Sequence, residues 1–98
     1  MTYKVVFRRA AQRELENATL WYEERRAGLG AEFAAEVDGA IASIAQNPSR
    51  FPIMHRDLRC IRVRRFPYSA FFRVESARVV VLAVFHVRRN PLIWQGRA

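Results

Sequence analysis

Hydrophobic positions along this chain change their period near the middle. Residues 3–7 (YKVVF) form a short β-branched and aromatic run that suits a first strand entering the interior. From 9 to about 25, Ala11, Leu15, Ala18 and Tyr22 recur at helical spacing on one face, while Gln12, Arg13, Glu16, Glu23 and Glu24 take the others. That spacing predicts an amphipathic helix. Gly28-Leu29-Gly30 interrupts it, and a second helical stripe of Phe33, Val37, Ile41 and Ile44 runs to a stop at Asn47-Pro48. Two helices joined by a tight glycine turn make an antiparallel hairpin. Residues 48–57, with Pro52 and His55, show no period and are expected to be a connecting loop. Beyond them the period shortens to that of strands: 58–65 (LRCIRVRR), 68–75 (YSAFFRVE) and 78–87 (RVVVLAVFHV), separated by Phe66-Pro67 and Ser76-Ala77, read as a meander. Residues 79–85 are apolar on both alternations, as in a central strand covered on both faces. The expectation is one α+β two-layer domain over residues 1–98, in the order β-α-α-β-β-β, with the helical hairpin packed on a mainly antiparallel sheet.

A chain of 98 residues, 51% of them hydrophobic, is long enough to bury a core without staples, which excludes disorder and fibrous repeats. Cys60 is the one cysteine, so no intramolecular disulfide forms, and with only His55 and His86 beside it no zinc-ligand spacing assembles. No metal or other cofactor is expected. The start MTYKVVFRRA lacks an apolar signal region, and the apolar run at 79–85 is too short to span a bilayer, so a cytoplasmic protein without a membrane partner is expected. Charge changes the picture most: 17 Lys and Arg against 9 Asp and Glu leave +8, nearly all of it arginine. Guanidinium forks match phosphate and carboxylate, so this excess points to a polyanionic target or an acidic partner, against the plainer reading of solubility.

Arg59, Arg62, Arg64, Arg65, Arg73, Arg88 and Arg89 all fall in the second half, on or beside the predicted sheet, and are expected to converge. Alternation puts Arg62 and Arg64 on one face of their strand and Ile61 and Val63 on the other, so the arginines line a face the helices leave open. That face is either simply solvated or a phosphate- or carboxylate-binding surface. The aromatics interleaved with it (Phe66, Tyr68, Phe72, Trp94) favour binding. His86 closes the last strand beside Arg88 and Arg89, where a general base, a phosphate contact or a hydrogen-bonded structural residue would each fit; Glu75 and Tyr68 are the other acid–base candidates. Trp21 and Tyr22 are expected to pack in the core. Trp94, in an arginine-rich tail, either stacks on a base or plugs the core edge.

The segments WYEERRAGLGAEF, NPSRFP, RRFPYSAFFRVE and VVVLAVFHVRRNPLIW, in this order and spacing, resemble the RelE/ParE superfamily of type II toxins over essentially the whole chain, and its ParE-like branch in particular. The resemblance implies the β-α-α-β-β-β fold, growth arrest, a role in plasmid stabilization and a hetero-oligomer with a cognate antitoxin. RelE-like members cut messenger RNA on the ribosome, and ParE-like members inhibit DNA gyrase. The RNA-cleaving members carry an arginine directly after the tyrosine that opens the third strand and a tyrosine in the tail; this chain has Ser69 at the first position and Trp94 and Gln95 in its tail, while Arg89 matches the family arginine at the end of the last strand. Metal-free RNA cleavage needs a base, an acid and a cation, so losing two such groups removes most of the expected rate. The resemblance therefore favours gyrase inhibition through Arg62, Arg64, Arg65, Arg73, Arg88, Arg89 and Trp94, with Arg59, Arg62 and Arg64 meeting the antitoxin. Because other nuclease members use histidines and glutamates, a ribosome-dependent endoribonuclease built on His86, Arg65, Arg89 and Glu75 is the alternative, and whether the chain is an enzyme stays open. A meander of this size cannot close into a barrel, so an open sheet edge beside a +8 surface suits an acidic antitoxin that adds a strand or lays a helix across the hairpin.

Overall fold

In the computed structural model, which describes residues 2–98, a helical hairpin covers one face of a five-stranded sheet. The elements run β1 (Lys4–Phe7), α1 (Arg9–Arg25), α2 (Leu29–Gln46), β2 (Ile53–His55), β3 (Leu58–Arg62), β4 (Tyr68–Glu75), β5 (Arg78–His86) and a single turn of helix, α3 (Leu92–Gln95). Across the sheet the strand order is β1-β5-β4-β3-β2. Only β1 is parallel to its neighbour, β5; every other pair is antiparallel. The α+β arrangement is thus the one its periodicities predict, and no helix among the described residues is long and apolar enough to cross a membrane.

Three local features depart from the sequence reading. The expected loop at 48–57 contains a 3-10 turn (Pro48–Arg50) and the edge strand β2, which folds back on β3 through Arg56, a residue at φ 53°. Ile53 and Met54 of β2 are both exposed, so the strand buries no alternating face and left no period to read. The strand predicted over 58–65 is β3 and ends at Arg62 instead of continuing to 65. Val63 N–H donates to the Tyr68 carbonyl at 2.9 Å, and Arg65 adopts φ 71°, which turns the chain before Phe66. The tail, finally, is ordered as α3 and returns to the sheet.

The hairpin joint rests on one carboxylate. Glu23, on α1, accepts the N–H groups of Gly28 at 2.9 Å and Gly30 at 3.0 Å, so it caps the start of α2 where amides lack partners and the helix dipole favours an anion. Gly28 sits at φ 90°, a conformation that suits glycine. A Cβ on Gly30 would lie 2.6 Å from the Thr19 carbonyl, so the two helices meet there backbone to backbone.

One core lies between the helices and the sheet, built on Ala11, Phe33, Val37, Ile44, Val63, Phe72, Val79, Val81 and Val84. The opposite face of the sheet has a smaller cluster of Leu58, Phe71, Val80, Leu82, Ala83, Phe85 and Trp94. β5 supplies both, and its alternation slips once. Phe71 pairs with Ala83 and Phe72 with Val81, leaving Leu82 as the extra residue of a bulge. Leu82 and Ala83 therefore both face away from the helices, and His86 is turned to the same side as Val84.

β1 accompanies β5 only through Val81. Past that point an ion pair takes over the vacant edge: Arg97 donates to the Leu82 carbonyl at 3.0 Å, Val84 N–H donates to Glu14 at 3.1 Å, and the two side chains join through bonds of 2.9 and 3.0 Å. Both side chains are largely buried. Removing one partner strands the other beside an unpaired backbone group, so Glu14→Ala and Arg97→Ala are each expected to lower unfolding free energy by about 1–3 kcal/mol in urea titrations. The double variant should lose clearly less than the sum of the singles; strict additivity would show that the two act separately.

Candidate functional site

Two depressions meet at His86. On the sheet face opposite the helices, a groove of about 630 Å³ is walled by Met54, Cys60, Arg62, Ser69, Phe71, Phe85 and Trp94. On the helix side, a cleft of about 590 Å³ lies between α1 and the end of β5, lined by Glu14, Asn17, Trp21, Tyr22, Tyr68, His86 and Arg89. His86 borders both, because it is the last residue of β5.

The groove is apolar with one cation. Arg62 and Cys60 share a face of β3, and Ser69 of β4 is the register partner of Arg62, so the serine lies beside the one sheet arginine of the groove. Burial pushes the Cys60 thiol up, against smaller opposing effects from Ser69 and Arg62, which disfavours a thiolate nucleophile. Trp94 is 7% exposed and stacks on Phe71 with ring centroids 3.8 Å apart at 14°. Its ring thus plugs the far-face core and gives the groove a wall. Around it Met54, Val87, Leu92 and Ile93 remain exposed.

The cleft is walled by aromatic rings. Tyr22 packs against Phe33, Phe66 and Tyr68, while Trp21 is about half exposed under the Arg25 guanidinium, 3.9 Å from its ring centre. Burial raises the Tyr68 hydroxyl above its ordinary range, further helped by Tyr22 and opposed by Arg89; burial also raises Tyr22. Both phenols are therefore donors at neutral pH rather than bases. The His86 ring meets Tyr68 edge-on at 5.2 Å, and its Nδ1 accepts the Arg88 N–H at 3.0 Å, so that nitrogen is occupied by the backbone and Nε2 is the ring nitrogen left for any other contact.

The arginines singled out from the sequence do not gather into one patch. Arg59 donates to the carbonyls of Ser49 at 3.0 Å and Phe51 at 2.6 Å, anchoring the 3-10 turn. Arg62 and Arg64 stay exposed and border a small depression beside α2. Arg65 pairs with Glu32 at 2.7 Å and Glu36 at 3.6 Å, both on α2. Arg73 donates to the Arg97 carbonyl at 3.2 Å and so holds down the tail. Arg88 and Arg89 lie just past β5, with the Arg89 guanidinium 4.5 Å from the Phe85 ring centre. Glu75 pairs with Arg78, whereas His86 pairs with Tyr68 at the opposite end of the same two strands. Seven strand steps separate Glu75 from that end, roughly 23 Å. Of the four residues in the nuclease set, only His86 and Arg89 share a cavity.

Glu14, Asn17 and Arg97 are the site residues that sequence reading passed over. Glu14 had a readable signal: it stands three residues after Ala11 and four before Ala18, both fully on the buried stripe of α1, where an acidic residue needs a partner. Arg97 gave none, because its partner is 83 residues away.

A family model described as the ParE toxin of type II toxin-antitoxin system, parDE, matches residues 5–91. Among solved structures, a chain titled as the chromosomal ParDE toxin-antitoxin system from P. aeruginosa is similar with a TM-score of 0.78 and 18% identity, covering 89% of this chain and 98% of that one. A chain from the toxin-antitoxin complex RelBE2 of Mycobacterium tuberculosis is similar at 0.62 and 24% identity, covering 88% and 99% respectively. No curated protein matches the sequence.

Two outcomes follow from the geometry of the site. Trp94→Ala is expected to cost about 2–4 kcal/mol of stability by emptying the space over Phe71, measured by thermal or urea unfolding; unchanged stability would return Trp94 to the role of a free stacking surface. The Glu32 carboxyl is held below its ordinary range, chiefly by its hydrogen bond with Arg65, so the pair favours the folded state above the unfolded carboxylate pKa and loses that effect as pH falls through the folded value. Stability of the wild type should therefore fall more steeply on acidification than that of Glu32→Gln.

Proposed function

Because the chain belongs to the ParE toxin family of type II toxin-antitoxin systems, we propose that it arrests growth by docking on DNA gyrase and that a cognate antitoxin neutralises it by covering the docking surface. The observation that carries this reading is the make-up of the groove beneath the sheet. Among the described residues no carboxylate lines it, Ser69 stands where RNA-cleaving relatives are expected to carry a cation, and Cys60 is disfavoured as a thiolate. A phosphorane has little there to meet beyond Arg62 and the edge of His86. Glu75 lies at the wrong end of the strands and Arg65 is committed to α2, which further weakens the ribosome-dependent nuclease alternative.

What the surface offers instead is charge beside exposed apolar area: Arg62 lies with Met54 and Val87 in the groove, and Arg64, Arg88, Arg89 and Leu92 are exposed along the chain next to these residues. Such a surface suits docking, in which the arginines steer and orient a partner and the apolar groups hold it. Arg65, Arg73 and Trp94 act in this scheme through their contacts within the fold: Arg65 with the α2 carboxylates, Arg73 with the Arg97 carbonyl and Trp94 with the Phe71 ring. For the antitoxin, Arg62 and Arg64 are the free cations of the predicted set, since Arg59 is engaged with the main chain. Acting on gyrase places the protein in the cytoplasm, in hetero-oligomers with its antitoxin, and fits a part in plasmid stabilization.

Expression of the chain alone is expected to slow growth with a DNA-damage response that precedes any fall in protein synthesis, and purified protein to make gyrase accumulate cleaved DNA. Early loss of translation, with messages cut between codons, would instead establish the nuclease. His86→Ala should leave toxicity largely intact, whereas Arg88→Glu with Arg89→Glu abolishes it, because docking depends on charge and not on proton transfer.

A further inference from the structure

The end of β5 carries a short run of bare backbone. Beyond Val81 the edge no longer has β1, and the Glu14–Arg97 pair satisfies only the Leu82 carbonyl and the Val84 N–H. The Tyr68 carbonyl accepts Val63 N–H and so faces β3. His86, opposite Tyr68, therefore turns its backbone groups away from β4, and alternation turns those of Val84 the same way. Among the described residues, neither the Val84 carbonyl nor the His86 N–H has a hydrogen-bond partner. Both residues line the cleft beside α1.

The pattern of what is free specifies an orientation. The Val84 N–H is held by Glu14 and the His86 carbonyl by Arg89 N–H, so neither residue can exchange both bonds with one opposing residue, as an antiparallel strand requires. A carbonyl on one residue and an N–H two residues later are what a single residue of a parallel strand satisfies. An incoming chain would then run in the direction of β1, prolonging it past the point where α1 begins. Trp21, Tyr22 and Tyr68 offer an apolar wall for one of its side chains. Arg89 stands exposed at the cleft, and Glu14, the one carboxylate there, is already neutralised by Arg97, which leaves a net positive site on a chain of +8.

We propose that the antitoxin seats an extended acidic segment in this cleft, adding a short strand parallel to β5 at Val84 and His86, with an apolar side chain against Trp21, Tyr22 and Tyr68 and a carboxylate on Arg89. The inference rests on the reading of the chain as a toxin held by an antitoxin, and it deepens that reading. A segment seated there covers Arg89 and one side of His86, and so obstructs the docking surface directly.

Hydrogen exchange followed by NMR on the isotopically labelled chain, alone and with its full-length cognate antitoxin, tests the placement. The His86 amide is expected to exchange freely in the toxin alone and to become protected in the complex, with shifts in the Tyr22 and Tyr68 ring signals. Arg89→Glu, at an exposed position where folding is not at stake, should weaken antitoxin binding by at least about tenfold at low salt. Tight binding with an unprotected His86 amide and an unaffected Arg89→Glu variant overturns the proposal while leaving the toxin-antitoxin reading in place. Absence of any binding by the antitoxin overturns both. Protection of His86 by gyrase but not by the antitoxin assigns the cleft to the target and likewise sinks the proposal.

Discussion

Keeping the backbone of β5 satisfied along its whole length is the constraint that shapes this molecule. The strand is buried from Val79 to Phe85, with apolar side chains on both faces, so every polar group of its main chain must find a protein partner or reach a gap open to water. β4 supplies one side throughout. On the other side β1 is four residues long against nine in β5, and part of the shortfall is met by two side chains drawn from opposite ends of the chain. The position of α1 and the return of the tail are both tied to that repair. Where the repair stops, the cleft begins.

The bulge at Leu82 is the second determinant. It adds one residue to β5 without adding one to β4, and everything after it changes sides. Without it His86 would project with Val80 into the far-face cluster; with it, the imidazole stands beside Tyr68 and opens onto the cleft. One inserted residue thus decides whether the histidine is packed or presented.

The parts of the fold that could be read from the sequence are those whose burial has a period. Ala11, Ala18, Phe33, Val37 and Ile44 recur at helical spacing and all are buried, and the doubly apolar 79–85 run is the central strand. β2 was invisible because its outward residues are as apolar as buried ones, and the bulge because residues apolar on both alternations carry no phase. The site was legible residue by residue but not in its assembly. His86, Arg89 and Tyr68 do share a cavity, yet the arginines that look like one patch in sequence are dispersed by their separate partners: α2 for Arg65, the 3-10 turn for Arg59, the tail for Arg73. Periodicity places a side chain on a face; it does not say which carboxylate or carbonyl is waiting there.

The parallel pairing of β1 with β5 also sets an order of events during synthesis. Lys4 lies opposite Arg78, and Glu14 closes on Arg97 across 83 residues. At typical elongation rates a ribosome needs roughly 4–17 s to make that stretch. Once residues 9–46 of the hairpin have been made, Phe33, Val37 and Ile44 have no sheet to face until the strands that follow are synthesised, and the first strand waits for a neighbour that has not been made. Long-range closure of this kind is slow even in a finished chain. The nascent protein therefore has a period in which its apolar stripe is open while the surface around β5 is not yet built, and an early-binding partner or chaperone meets a different molecule from the folded one.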